Sequence, residues 1–178
     1  MNYSMIVACD KNFLIGKGDE LPWKCEEDMA WFVQKTRHKA ILMGSKTANG
    51  IGTVLPGRFN IVLTNDPKNV TYENPVVVTT TALAQFEANN RGYNEIVICG
   101  GLSLYRLYVD QVDKIYFTQL EGEYEGDVHL DIPLFEDLAL VNSYKETFNG
   151  WALEEVSNVP GIGSFKTFIK VNTAGAHR

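Results

Sequence analysis

Ile96-Val97-Ile98-Cys99-Gly100-Gly101-Leu102-Ser103-Leu104-Tyr105 is the stretch on which the fold turns. Its first four residues are apolar and mostly β-branched, so they read as a buried strand. Two glycines end the strand. A helix over 102–109 follows, with Leu104, Tyr105, Leu107 and Tyr108 at its apolar positions. A continuously apolar strand that runs straight into a helix belongs to a parallel sheet covered on both faces.

Outward from that stretch the alternation repeats. Residues 5–9, 40–43, 60–64 and 76–80 are further short apolar runs. A helix opens at the acidic run Glu26-Glu27-Asp28 and ends near His38, with Met29, Phe32 and Val33 on one face. Ser45-Lys46-Thr47 opens a short helix that Asn49 and Gly50 weaken. Residues 81–89 form another helix, with Leu83 and Phe86 sharing a face. Residues 10–20, with Gly16 and Gly18, read as a lid-like loop, and Leu55-Pro56-Gly57-Arg58 as a turn. Residues 114–120 alternate as a strand does, and 121–127 make an acidic turn. The last third shows strand character over 141–147 and 165–171, joined by 160–163, with no helical period. The expectation is one α/β domain over 1–172, a mostly parallel twisted sheet with an antiparallel C-terminal edge, and a loose tail over 173–178.

The 178 residues are 45% hydrophobic and 21% charged, ordinary for a soluble globular protein. No apolar run is long enough to span a membrane, and the first residues carry no signal-like core. Cys9, Cys25 and Cys99 are odd in number and form no CxxC pair, which fits a reducing, cytoplasmic setting. The net charge of −6 disfavours nucleic acid, and any anionic ligand requires cations concentrated locally. His38, His129 and His177 have no ligand spacing, so no metal is assigned.

Four places can carry chemistry. Asp28 stands four before Phe32, on the apolar side of its helix, where a carboxylate is costly without a partner; as an alternative it is a solvated helix-start charge. Gly100-Gly101 lets phosphates approach a helix start, or makes a tight turn, and it is not a G-x-G-x-x-G fingerprint. Gly44-Ser45-Lys46-Thr47 is a second strand-to-helix junction with hydroxyls and a cation, without the spacing of a P-loop. Arg58, fixed after Pro56-Gly57, suits bidentate carboxylate recognition or is a solvated turn residue. Tyr105 and Tyr108 read as core.

Together these residues resemble the dihydrofolate reductase family, from residue 4 to at least residue 129. The carrying pieces are Ile15-Gly16, Leu21-Pro22-Trp23, Asp28 with Trp31-Phe32, and Met43-Gly44 with Thr47. Ile51-Gly52, Leu55-Pro56-Gly57-Arg58 with Asn60, Gly100-Gly101 with Tyr105, Tyr116-Phe117-Thr118, and Glu125-Gly126-Asp127-Val128-His129 follow in order.

The resemblance implies an eight-stranded, mostly parallel sheet with about four helices, and hydride transfer from NADPH to dihydrofolate in support of one-carbon metabolism. It makes Asp28 the pterin anchor, backed by Thr118, with Leu21 and Trp23 at the catalytic end and Trp23 holding a water. Ile6, Ala8 and Cys99 line the pterin, Phe32, Ile51 and Leu55 sandwich the benzoyl part, and Arg58 clamps the glutamate. On the cofactor side it places Ile15 and Gly16 of the lid with Ala8 and Gly44. Ser45, Lys46 and Thr47 meet the phosphates, Leu63, Thr64 and Asn65 lie beyond them, and Cys99, Gly100, Gly101, Leu102, Ser103, Leu104 and Tyr105 line the cofactor. It implies a monomer that binds antifolate inhibitors. Departures from the family's pattern are Ala48, Ser45 and Ser103, the last two neutral where many members are basic. They leave Lys46 as the clearest cation for a cofactor phosphate, with Lys68 a second candidate. The segment 151–163 reads as a long loop. Two rivals are a pyrimidine reductase of riboflavin synthesis, disfavoured by Asp28 with Trp31-Phe32, and a folate- or nucleotide-binding module without turnover.

Overall fold

Strand β1 (Asn2–Cys9) is the middle of the molecule, and the computed structural model describes residues 1–171 around it. The tail expected over 173–178 lies outside the described residues. After β2 (Leu14–Gly16) and helix α1 (Glu26–Thr36), the chain runs through β3 (Ala40–Gly44), α2 (Ser45–Ile51), β4 (Phe59–Leu63) and β5 (Val76–Val78). Then come α3 (Thr81–Asn90), β6 (Glu95–Gly100), α4 (Leu102–Tyr108), β7 (Lys114–Leu120), β8 (Val128–His129) and α5 (Pro133–Leu140). The C-terminal strands are β9 (Thr147–Phe148), β10 (Trp151–Val159) and β11 (Gly163–Lys170).

The sheet order is β5-β4-β3-β6-β1-β7-β11-β10-β9. Every pairing from β5 to β7 is parallel, and those beyond β7 are antiparallel. The expected eight strands are present, and β9 adds a two-residue edge. In β1 the period-two alternation sends Met5, Val7 and Cys9 into one core cluster and Ile6 into the other. Both faces are covered, so the strand reads as one apolar run instead of an alternating one. Each large side chain buried this way stabilises the fold by about 1.5–3 kcal/mol.

Several expected faces come out differently. Helix α1 buries Asp28, Trp31 and Thr36, while Met29 is 55% exposed and Phe32 and Val33 are half-buried. Helix α3 turns Ala84 and Ala88 to the sheet and leaves Leu83 and Phe86 exposed, because small residues let its backbone lie close. Leu107 of α4 is exposed beside buried Leu104, Tyr105 and Tyr108. The C-terminal third contains α5, where no helix is expected from the sequence. Pro133 at its first turn, Glu136 near the helix start, and buried Phe135 and Leu138 three apart define it. Residues 141–146 are not a strand, and the expected long loop is largely the nine-residue β10. A bulge between Leu153 and Glu155 breaks the alternation that would have revealed it.

Candidate active site

The chain order reverses beside β1, whose neighbours β6 and β7 lie on opposite sides and run parallel to it. A cleft opens where such a sheet switches direction, at the carboxyl ends of its strands. Here it holds about 1320 Å³, more than the roughly 300–1,000 Å³ typical of one small-ligand pocket. It is long enough to have two arms.

One arm lies along α1. Asp28, in the first turn, is 9% exposed. The Trp23 indole N–H donates to its Oδ2 at 3.4 Å, and Thr118 of β7, in register with Ala8 of β1, faces the same carboxylate. Burial pushes the Asp28 carboxyl above its ordinary value, and the Thr118 and Trp23 contacts pull it part of the way back. Phe32, Ile51 and Leu55 continue the arm, and the Arg58 guanidinium lies 5.9 Å from the Phe32 ring centroid. Arg58 Nε donates to the Pro56 carbonyl at 3.0 Å, so its side chain is folded back on its own turn.

The other arm is built on two strand-to-helix junctions side by side. Neighbouring β3 and β6 end at Gly44 and Gly100, and the Gly100–Gly101 peptide is cis. A Cβ on Gly101 would stand 3.2 Å from Thr47 Oγ1, so glycine lets the two junctions close on each other. Ser45, Lys46, Thr47, Thr64, Asn65, Ser103 and the run Thr79-Thr80-Thr81 give this arm a lining of hydroxyl, amide and ammonium donors. Such a set suits a polyphosphate more than an apolar group. Tyr105, expected as core, is both: its hydroxyl donates to Ile6 O at 2.8 Å and the residue lines the cleft. Burial raises the Tyr105 hydroxyl far above its ordinary range.

The expected lid is more constrained than a loop. Within 10–20, β2 pairs with β8. Asp10, fully buried, accepts the N–H groups of Asn12 at 2.8 Å, Leu14 at 2.9 Å and Tyr124 at 2.9 Å. Asp127 Oδ1 accepts Gly18 N–H at 2.8 Å. At the far end, a Cβ on Gly50 of α2 would lie 1.7 Å from the Asp19 carbonyl oxygen, so only glycine seats the 17–20 turn against α2.

All the expected site residues line the cleft except Thr118 and Arg58. Thr118 is buried behind Asp28, and Arg58 stands at the rim. Lys68 sits on the exposed 3-10 turn Pro67–Asn69 and does not line the cleft. The sequence reading missed Met29, Gly50, Thr79, Thr80, Thr81 and Val128. Position at the end of a strand was the available signal for the three threonines, as it was for Gly44 and Gly100.

Comparison with known proteins agrees with this geometry. The dihydrofolate reductase family model matches residues 2–149. The dihydrofolate reductase of Buchnera aphidicola is 39% identical over 138 residues, 78% of this chain and 81% of its own. That of Haemophilus influenzae is 38% identical over 127 residues, 71% of this chain and 77% of its own. A solved dihydrofolate reductase from Enterococcus faecalis, complexed with NADP(H) and RAB-propyl, superposes with a TM-score of 0.75 at 24% identity. It covers 95% of this chain and 96% of its own. With the family model spanning both arms of the cleft and relatives matched over most of their length, this chain belongs to the dihydrofolate reductase family.

Proposed function

We propose that the cleft carries out the family's reaction, reduction of 7,8-dihydrofolate to 5,6,7,8-tetrahydrofolate, with the pterin on Asp28 and NADPH along the Gly44–Thr47 and Gly100–Gly101 junctions. The observation that carries this reading is the buried Asp28 carboxylate at the head of an arm otherwise lined by apolar groups. A pterin presents an amidine-like edge, and one carboxylate accepts two hydrogen bonds from it. Asp28 is held toward the cleft by Trp23, while Thr118 backs it from β7. The raised carboxyl lets the group take up and release a proton nearer neutral pH than an ordinary aspartate, which suits protonation of the substrate ring as it is reduced. Ile6, Ala8 and Cys99 border the pterin, Phe32, Ile51 and Leu55 hold the benzoyl ring, and Arg58 at the rim meets the glutamate.

NADPH fits the second arm by its donor set: Thr47, Ser45 and Lys46 face the diphosphate and sugar phosphate, and Leu63, Thr64, Asn65, Leu102 and Ser103 border the far end. Bound there, NADPH supplies the hydride. Ile15 and Gly16, clamped by β8, border the nicotinamide end, and the 17–20 turn seated on Gly50 limits water there. Leu21 closes the same end. In this reading the protein works as a cytoplasmic monomer. Its three free cysteines suit a reducing setting. The test is loss of NADPH absorbance with and without dihydrofolate. A dihydrofolate-dependent loss is expected; its absence would leave a binding module and overturn the reading.

A further inference from the structure

Trp23 is 5% exposed and meets Asp28 with its indole N–H, yet it belongs to neither core cluster. A ring from far along the chain seats it instead. Tyr124, in the acidic turn 121–127, packs on the indole with ring centroids 5.6 Å apart and planes tilted by 55°. Among the described residues no other aromatic ring stacks on Trp23.

The turn that carries Tyr124 is fixed on two sides. The Tyr124 N–H donates to Oδ2 of the fully buried Asp10 at 2.9 Å. Beside it the Lys11 N–H donates to Gly122 O at 3.3 Å, and Asn12 Nδ2 donates to Glu123 Oε1 at 2.8 Å. On the other side the Glu121 N–H donates to Ile162 O at 2.9 Å, and Glu121 Oε2 accepts the Gly161 N–H at 3.1 Å. Gly122 supplies the space for the ring: a Cβ there would lie 2.7 Å from Tyr124 Cε2. Tyr124 also borders a second cavity, of about 310 Å³, that Trp23 does not reach. Removing the ring opens the indole toward that space.

The hydrogen bond at stake is sensitive to such a change. Trp23 Nε1 stands 3.4 Å from Asp28 Oδ2, beyond the best range, so a small tilt of the indole breaks it. A carboxylate released on one oxygen turns about its last torsion, and it then presents its two oxygens less well to a ligand's paired donors.

Resting on the function proposed above, we propose that Tyr124 is a positioning residue for the pterin site. Its ring holds the Trp23 indole where the N–H meets Asp28, and Asp10, through the Tyr124 N–H, holds the ring there. Tyr124 is 40% exposed, so the effect is modest and acts through Trp23 alone.

The test reads kcat/KM for dihydrofolate and, without NADPH, the Kd of dihydrofolate from tryptophan fluorescence quenching. Tyr124→Ala should worsen both by about threefold to tenfold, the range of an aromatic pair, and leave the KM for NADPH unchanged. Tyr124→Phe keeps the ring and should restore both. Gly122→Ala, which displaces the ring, should cost about twofold to fivefold in the natural background and nothing on top of Tyr124→Ala. Tyr124→Ala should also change Kd by less than about twofold when Trp23 is already Leu. Loss of general stability would act equally in every background. A Tyr124→Ala variant with wild-type kcat/KM and Kd, or Gly122→Ala and Tyr124→Ala effects that multiply, overturns the proposal. So does a Tyr124→Ala loss that persists in full without Trp23. Because binding is read apart from turnover, a Tyr124-dependent Kd without NADPH oxidation in wild type would sustain the positioning role and sink the reductase reading.

Discussion

The two arms of the cleft hold charge in opposite ways. The substrate arm centres on one carboxylate, Asp28, buried among Trp23, Phe32 and Leu55 and met by one long indole hydrogen bond and the Thr118 hydroxyl. The cofactor arm is lined by neutral donors, with the exposed Lys46 as its ammonium group. In the first arm low dielectric magnifies a single charge. In the second many weak donors act beside water, where each is worth less. The difference teaches that chemistry should concentrate in one residue on the Asp28 side, whereas affinity should be spread over several on the Lys46 side.

The sharpest way to break that contrast is to remove the charge at Asp28 and keep its shape. Asp28→Asn should lower kcat/KM for dihydrofolate by roughly 10²- to 10⁴-fold at pH 7, the range for losing a positioned acid–base group. NADPH binding should be nearly unaltered. Near-normal turnover would mean that proton transfer runs through another group.

Arg58 tests where the substrate arm ends. Arg58→Leu should weaken dihydrofolate by about 2–3 kcal/mol, roughly 30- to 150-fold, as expected for a lost hydrogen-bonded charge partner. Dihydropteroate, which has no glutamate, should bind the variant and wild type alike. If NADPH weakened as much as dihydrofolate, Arg58 would belong to the other arm.

Lys46 tests how far the cofactor arm shares its load. The extra phosphate of NADPH distinguishes it from NADH, and Ser45 and Ser103 donate hydrogen bonds there without adding charge. Lys46→Ala should cost NADPH about 1–2 kcal/mol, five- to thirtyfold, and leave NADH nearly unchanged. The comparison is kcat/KM for both cofactors at fixed ionic strength, because Lys46 is exposed and screened by salt. An unaltered cofactor ratio would assign the phosphate to the threonines 79–81 instead.

What the sequence revealed follows the same physics. The parallel half was legible because its strands are buried on both faces, and β3 and β6 end in glycine next to a helix, at Gly44-Ser45 and Gly100-Gly101. Asp28 was legible because a carboxylate on an apolar helical face is out of place, even though Trp31, and not Met29, proved to be its buried neighbour. The antiparallel half was not, since β10 has an exposed face and its bulge at Leu153 and Glu155 scrambles the period. Helix α5 is a different case: Pro133 and Glu136 announced its start, and its eight residues were too few for periodicity to stand out. Gly50 gave no local sign of its contact with Asp19, because that contact spans two segments far apart in the chain.

The smallest expected effect separates Asp28 from Asp10, the other buried aspartate in this half of the molecule. Asp10 accepts three backbone N–H groups, so its charge is fully used by the fold. Asp28 has too few donors to offset its burial, and its carboxyl is raised accordingly. Between the ordinary carboxylate value and that raised value, the folded state binds more protons than the unfolded chain. Stability therefore declines as pH rises through that window and stays lowered above it. Asp28→Asn removes the buried charge, so its melting temperature at pH 7 should exceed wild type, by about 2–4 °C for each kcal/mol relieved. At a pH low enough to protonate Asp28 in both states the two proteins should melt together. Asp10→Asn should shift the other way at pH 7, losing about 1–3 kcal/mol, because an amide cannot accept all three N–H groups. Thermal melts of the three proteins across that pH range decide the matter. If Asp28→Asn melted below wild type at pH 7, Asp28 would be a structural carboxylate like Asp10, and the charge contrast between the arms would not hold.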